Sequence, residues 1–357
     1  MKKKVYLTLQ NGKVFQGYRF GANGEAYGEL VFSTGGVDNC LVELTDPAYQ
    51  GQMLVHTFPL VGNYGVVPAE FESEKPSVSA YVVREICETP SNFRCEGKVA
   101  DYLKEQGVVG ICGVDTRELT KILRDNGAMN AYIGDKPLQD LSILQEYSVK
   151  NAVAKATCKE VREYGDSNAD YTVAFVDFGA KNSDVAEIVN CGCKVLRVPA
   201  YTKAEEILSM GVDGVVLSAG PGNPGENTAI IEEIKKLVGK KPIFGVSLGY
   251  QMLALALGAQ TSKMKKGHRG GQPVKALDTG RVYISSQNHG YEVVAASVAA
   301  GKIDYLNVND GSVEGIDYPE QKAFGVQFDP SACSIAAPSN VLYDKFIANM
   351  KKEKTHA

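Results

Sequence analysis

The residues of plainest chemical meaning are Gly245-Val246-Ser247-Leu248-Gly249, which fit the G-x-S-x-G pattern of a nucleophile elbow. Such an elbow is a sharp strand-to-helix turn that lifts one side chain above a sheet edge. It also aims the following amide, here that of Leu248, at a developing oxyanion. A serine hydroxyl in that place still needs a base to take its proton. The histidines downstream are His268, His289 and His356, the last of them in the terminal tail. A Ser247-dependent hydrolase is therefore one reading, with its base unassigned.

Gly220-Pro221-Gly222-Asn223-Pro224-Gly225 spells G-x-G-x-x-G, the pattern by which backbone amides hold a pyrophosphate. Pro221 and Pro224 remove two of those donors. About twenty residues on, where a ribose-binding acid belongs, stand Lys240 and Lys241. We read a rigid turn at the carboxyl edge of a sheet and expect no nucleotide cofactor. His268 and His289 lack the accompanying His or carboxylate spacing of a zinc site, and no CxxC pair exists, so no metal is expected. The cysteines read as small buried hydrophobes, and Cys333 alone is worth checking as a substitute nucleophile.

These turns need a sheet to hold them. From residue 171 onward, short apolar strands at 173–176, 194–198, 214–218 and 243–246 alternate with helices near 184–190, 203–210, 227–238 and 249–257. In the third helix Ile230, Ile231, Ile234 and Leu237 make one apolar face. Alternation at this spacing means a doubly wound parallel α/β sheet. The first 150 residues are β-rich instead. They open with a hairpin around Asn11-Gly12, read as a type I′ turn, and carry further strands at 29–33, 53–58 and 78–85. Two helices interrupt them, near 98–106 and from Asp115-Thr116 to Gly127. The expected fold class is thus α/β: an N-terminal β-rich α+β domain over 1–150, a linker over 151–170, and a doubly wound domain over 171–357.

A net charge of −4 with no basic patch disfavours nucleic acid or an anionic membrane surface as partner. No apolar run approaches 18 residues, so no membrane span is expected. Met1-Lys2-Lys3-Lys4 runs straight into an alternating pattern without an apolar h-region, which argues against a signal peptide. Cysteine usage is not that of a disulfide scaffold, and a cytoplasmic location is expected.

The elbow with its continuation Tyr250-Gln251, and the loop Leu217-Ser218-Ala219-Gly220-Pro221-Gly222-Asn223-Pro224, resemble those of class I glutamine amidotransferases. More narrowly, the chain resembles the small subunit of carbamoyl phosphate synthase. The likeness runs through Asp177-Phe178-Gly179-Ala180-Lys181, Gly267-His268-Arg269-Gly270-Gly271 and Ser286-Gln287-Asn288-His289-Gly290. In the first half it runs through Leu44-Thr45-Asp46-Pro47-Ala48-Tyr49, Gly62-Asn63-Tyr64-Gly65, Ser91-Asn92-Phe93-Arg94 and Gly113-Val114-Asp115-Thr116-Arg117-Glu118. The resemblance implies glutamine hydrolysis that feeds ammonia to a large subunit making carbamoyl phosphate for pyrimidine or arginine synthesis. It also implies a glutamine pocket at Ala48, Gly220, Gly222, Leu248, Gln251, Asn288, Gly290 and Tyr291.

The same resemblance exposes departures. Ser247 stands where the family has its catalytic Cys. In Gln327-Phe328-Asp329-Pro330-Ser331, Asp329 takes the place of the His and Ser331 that of the Glu. Tyr250 replaces the His of the elbow, and Ala48 replaces a Ser that contacts glutamine. Asp329, with an ordinary pKa of about 3.9, is a poor base. The chain is therefore expected to have lost its own glutaminase while keeping a large-subunit partner and a remnant pocket.

Overall fold

A computed structural model describes residues 3–36, 40–333 and 341–356, apart from the side chains of residues 332, 333 and 356. The chain divides into two compact units. One holds residues up to Ala152 together with Lys265–Gly267; the other holds Val153–Met264 and the chain from His268 onward.

In the first unit, among the described residues, seven strands close into a barrel. Around it run Lys4–Leu9, Val14–Gly21, Val109–Cys112, Ala80–Val82, Gln52–His56, Ala26–Ser33 and Met129–Gly134, which pairs back with the first. Alternation explains the closure: Val5, Leu7 and Leu9 point inward to meet Val55, Val82, Ile111 and Ile133 in one core. The first hairpin differs from the expected type I′ turn. Leu9 N–H donates to Lys13 O at 2.9 Å and Gly12 N–H to Leu9 O at 2.8 Å. Only Gly12 has positive φ (+86°), so the loop is a type I turn closed by a glycine bulge. Helix Thr116–Asn126 starts as the sequence suggests, with Asp115 Oδ1 accepting the Glu118 N–H at 3.0 Å.

The second unit is built on an eleven-stranded mixed sheet. Its centre is parallel, in the order Cys193–Pro199, Tyr171–Asp177, Gly214–Leu217, Ile243–Val246, Ala323–Val326. Antiparallel strands, including the long hairpin Thr261–Ala276 and Val282–Val293, extend it on the far side. Residues 151–170, expected as a linker, are structured. They carry helix Ala152–Ala156 and the edge strand Arg162–Tyr164, which pairs with Cys193–Pro199.

Helices cover both faces, which is what near-continuously apolar parallel strands require. Val173 and Phe175 face Val185, Ile188, Phe346 and Met350. Ala174 and Val176 face the other way, in the cluster with Ile207, Ile230, Ile234 and Leu253. Phe244 sits at the middle of the first layer, fully buried, with its ring 4.6 Å from Phe324 and 5.9 Å from Tyr343. Phe244→Ala should lower the unfolding free energy by about 3–5 kcal/mol in urea titrations, since a ring-sized cavity would open between packed layers.

Candidate active site

Strand Ile243–Val246 runs at its carboxyl end into helix Leu248–Ala256, and the residue between them is Ser247. Its backbone has φ +50° and ψ −108°, a conformation that non-glycine residues rarely adopt. The turn is tight because the helix start lies on the neighbouring strand. A Cβ on Gly249 would fall 2.2 Å from Leu217 O, and the Gly249 N–H donates to Ser218 O at 2.9 Å. Ser247 N–H is held by Val326 O at 2.8 Å. The Leu248 N–H opens the helix and has no intrahelical acceptor, as an oxyanion donor must. The elbow geometry expected from sequence is therefore present.

What the Ser247 hydroxyl meets is different. Among the described residues its one hydrogen bond comes from Gln327 Nε2, at 3.4 Å. No imidazole, ammonium or carboxylate of the described residues is bonded to it. Asp329 is engaged elsewhere, with Oδ2 2.6 Å from Lys181 Nζ, while Oδ1 accepts from Ser331 Oγ at 2.6 Å and Ser331 N–H at 2.9 Å. Burial pushes the Asp329 carboxyl up, but the Lys181 charge and the Ser331 bonds outweigh it and hold it below the ordinary carboxylate range. A serine-hydrolase reading thus finds no base bonded to the Ser247 hydroxyl among the described residues. The Cys333 side chain lies outside them.

The remaining sequence candidates are partly assembled. Gln251, buried, donates from Nε2 to Tyr291 O at 2.7 Å and to Gln327 Oε1 at 2.8 Å, which joins it through Gln327 to Ser247. Gly220 packs against Leu248. Gly222 is in the following turn, which Asn223 caps by accepting from Gly225 N–H at 3.0 Å. Asn288 and Gly290 lie on strand Val282–Val293, Asn288 opposite Arg269. Ala48 belongs to the other unit, half-buried in the 3₁₀ turn Pro47–Tyr49. Tyr250 is wholly buried, its hydroxyl 3.5 Å from Val313 O.

Two features escaped sequence reasoning. One is Lys181, visible as the residue opening the first strand-to-helix turn of this unit but not as a partner of Asp329. The other is a buried polar cluster behind the elbow helix. His268 Nε2 is 2.9 Å from Asp310 Oδ2, and its Nδ1 lies 2.8 Å from Gln287 Oε1 and 3.3 Å from Glu314 Oε1. His289 Nε2 is also 2.8 Å from Gln287 Oε1, and its Nδ1 is 2.8 Å from Tyr291 O. Burial lowers the His268 pKa, but the two carboxylates outweigh it and raise it to about 9. Burial, reinforced by the charge on His268, pushes His289 down to about 3. The sequence spacing around these histidines shows no carboxylate pattern; Glu314 and Asp310 reach them from later in the chain through the fold.

Comparison with known proteins bears on both units. A profile for the carbamoyl-phosphate synthase small chain, CPSase domain, matches residues 7–133, and one for class-I glutamine amidotransferase matches residues 174–349. The chain is 45% identical over 348 residues to a carbamoyl phosphate synthase small chain of Clostridium perfringens, covering 96% of this chain and 99% of that one. The chain belongs to the carbamoyl phosphate synthase small-chain family. It is also 40% identical to the small chain of Syntrophotalea carbinolica, over 98% of this chain and 99% of that one. To the carbamoyl phosphate synthase pyrimidine-specific small chain of Halalkalibacterium halodurans it is 38% identical, over 99% of both. In this small chain the positions that the resemblance equates with the family's Cys, His and Glu are occupied by Ser247, Asp329 and Ser331.

The depressed Asp329 pKa has a defined consequence for stability. It contributes stability above the unfolded carboxyl value of about 3.9, which is lost as pH falls through the lower folded value. In urea titrations Lys181→Met should cost about 1–3 kcal/mol at pH 7, because it removes a charged hydrogen bond from a mostly buried carboxylate. The variant should also lose less stability than the wild type between pH 5 and pH 3.

Proposed function

We propose that this chain is the small subunit of a carbamoyl phosphate synthase that has lost its own glutaminase step. It acts as a structural or regulatory partner of a large subunit working on free ammonia. The observation that carries this reading is the state of Asp329. A base must be free to accept a proton near neutral pH, whereas Asp329 is a carboxylate held by Lys181 and Ser331. Ser247 in turn has no useful alkoxide fraction without a matched base. Loss of a whole triad leaves the contribution of binding and the oxyanion hole, roughly 10³–10⁴ over water.

In this reading Gly220, Gly222, Leu248, Gln251, Asn288, Gly290 and Tyr291 are the remnant of a glutamine pocket, and glutamine remains its natural ligand. The Gln251 amide is already spent on Tyr291 and Gln327, which supports weaker binding than an open pocket would give. The large subunit is the expected partner, as the small-chain names of the relatives suggest, and the product serves pyrimidine or arginine synthesis. No helix of the described residues is long and apolar enough to cross a membrane, and we place the chain in the cytoplasm.

Restoring the chemistry tests this. Ammonia release from glutamine by Ser247→Cys alone should stay at background, because no imidazole accompanies the thiol. Adding Asp329→His and Ser331→Glu to Ser247→Cys should raise release by about 10²-fold or more, the usual worth of a positioned general base. Rescue by Ser247→Cys alone would contradict the role given to Asp329.

A further inference from the structure

The cluster behind the elbow helix presents acceptors to one another. Ser285 Oγ donates to Gln272 O at 3.2 Å and accepts from Gln287 Nε2 at 3.1 Å. In this arrangement Gln287 Oε1 is turned toward both histidines, 2.8 Å from His268 Nδ1 and 2.8 Å from His289 Nε2. His289 spends its Nδ1 hydrogen on Tyr291 O, and its neutral form therefore meets Gln287 Oε1 with a bare Nε2 lone pair. Glu314 is wholly buried, and its Oε2 has no hydrogen-bond partner. Two lone pairs at 2.8 Å and an orphaned buried carboxylate oxygen are unfavourable, and a cation between them relieves both.

We infer that His268, His289 and Glu314, with Gln287 Oε1 as a fourth donor, form a binding site for a divalent transition-metal ion, zinc by preference. One ligand atom from each of the first three residues lies within 4.8 Å of the others, all three residues being buried. Tetrahedral ligands about 2.1 Å from an ion stand roughly 3.4 Å apart, so modest side-chain movement closes the set. The outer contacts are those of metal-bound histidines: the far nitrogen of His268 meets the Asp310 carboxylate, and that of His289 a backbone carbonyl. Asn307 Nδ2 braces the set from outside, 3.1 Å from Glu314 Oε1. Two imidazoles, a carboxylate and an amide oxygen are a donor set that suits zinc over calcium or magnesium. All these residues belong to one unit; neither Ser247 nor Asp329 is among them, and the cluster meets the Gln251 network at Tyr291 O. The competitor for it is a proton on His268, which zinc would displace.

The test uses the full-length chain, stripped with a chelator and equilibrated with zinc, and counts metal by mass spectrometry after desalting. One zinc per chain is expected, with a higher melting temperature than the stripped protein. Cobalt in its place should give tetrahedral visible bands without thiolate charge-transfer absorption, which separates this site from the cysteines. His289→Gln and Glu314→Gln should each weaken zinc binding by about 100-fold or more, beyond the usual cost of losing a supporting contact. No stoichiometric zinc on the wild-type chain, or a cobalt spectrum dominated by thiolate, would overturn the proposal. So would zinc retained unchanged in both variants. The wild-type readouts decide the matter if a variant fails to fold, and none of them depends on glutaminase activity.

Discussion

One close approach organises the second unit: the start of helix Leu248–Ala256 lies on the end of strand Gly214–Leu217 with no room for a methyl group. A Cβ at Gly249 would come within 2.2 Å of Leu217 O. Because the helix cannot retreat, Ser247 is forced to φ +50°. At the same turn Leu248 opens the helix and Gln251 is seated against Tyr291 and Gln327. The strain is offset by burial of the helix, whose Leu248, Tyr250, Met252 and Leu253 are each 2% exposed or less. The backbone of a strand-to-helix elbow is thus present.

In the proposed reading the side chains at that edge do not cooperate. A catalytic base has to be neutral or weakly held so that it can cycle a proton. Lys181 and Ser331 do the opposite to Asp329 by binding its charged form on both oxygens. The arrangement stabilises the fold locally, as an ion pair flanked by hydrogen bonds does when mostly buried. A stable carboxylate and a reactive base are competing demands on one residue, and the geometry here meets the first.

How much of this could be read from the sequence depended on the range of the interaction. The elbow, the alternating strands and helices of the second unit and the Asp115 cap are local patterns, fixed by periodicity and by residues three or four apart, and they were legible. The barrel of the first unit was not, because closure between Lys4–Leu9 and Met129–Gly134 is a pairing of distant segments that no local pattern encodes. Residues 151–170 looked like a linker since Arg162–Tyr164 is a short, polar edge strand that its partner alone specifies. The turn at Asn11-Gly12 was placed correctly and its type was not, because Asn tolerates either sign of φ. Asp329 was recognisable as a weak base, whereas its capture by Lys181, 148 residues away, needed the fold. The same holds for Glu314 and Asp310 beside His268.

The most direct measurement of the central claim is ammonia release from glutamine by the purified chain, alone and together with its cognate large subunit. The account predicts background release in both cases, while the complex still makes carbamoyl phosphate from added ammonia. Steady glutamine-dependent release in either case would contradict it, and would mean that a group other than Asp329 supplies the base to this elbow.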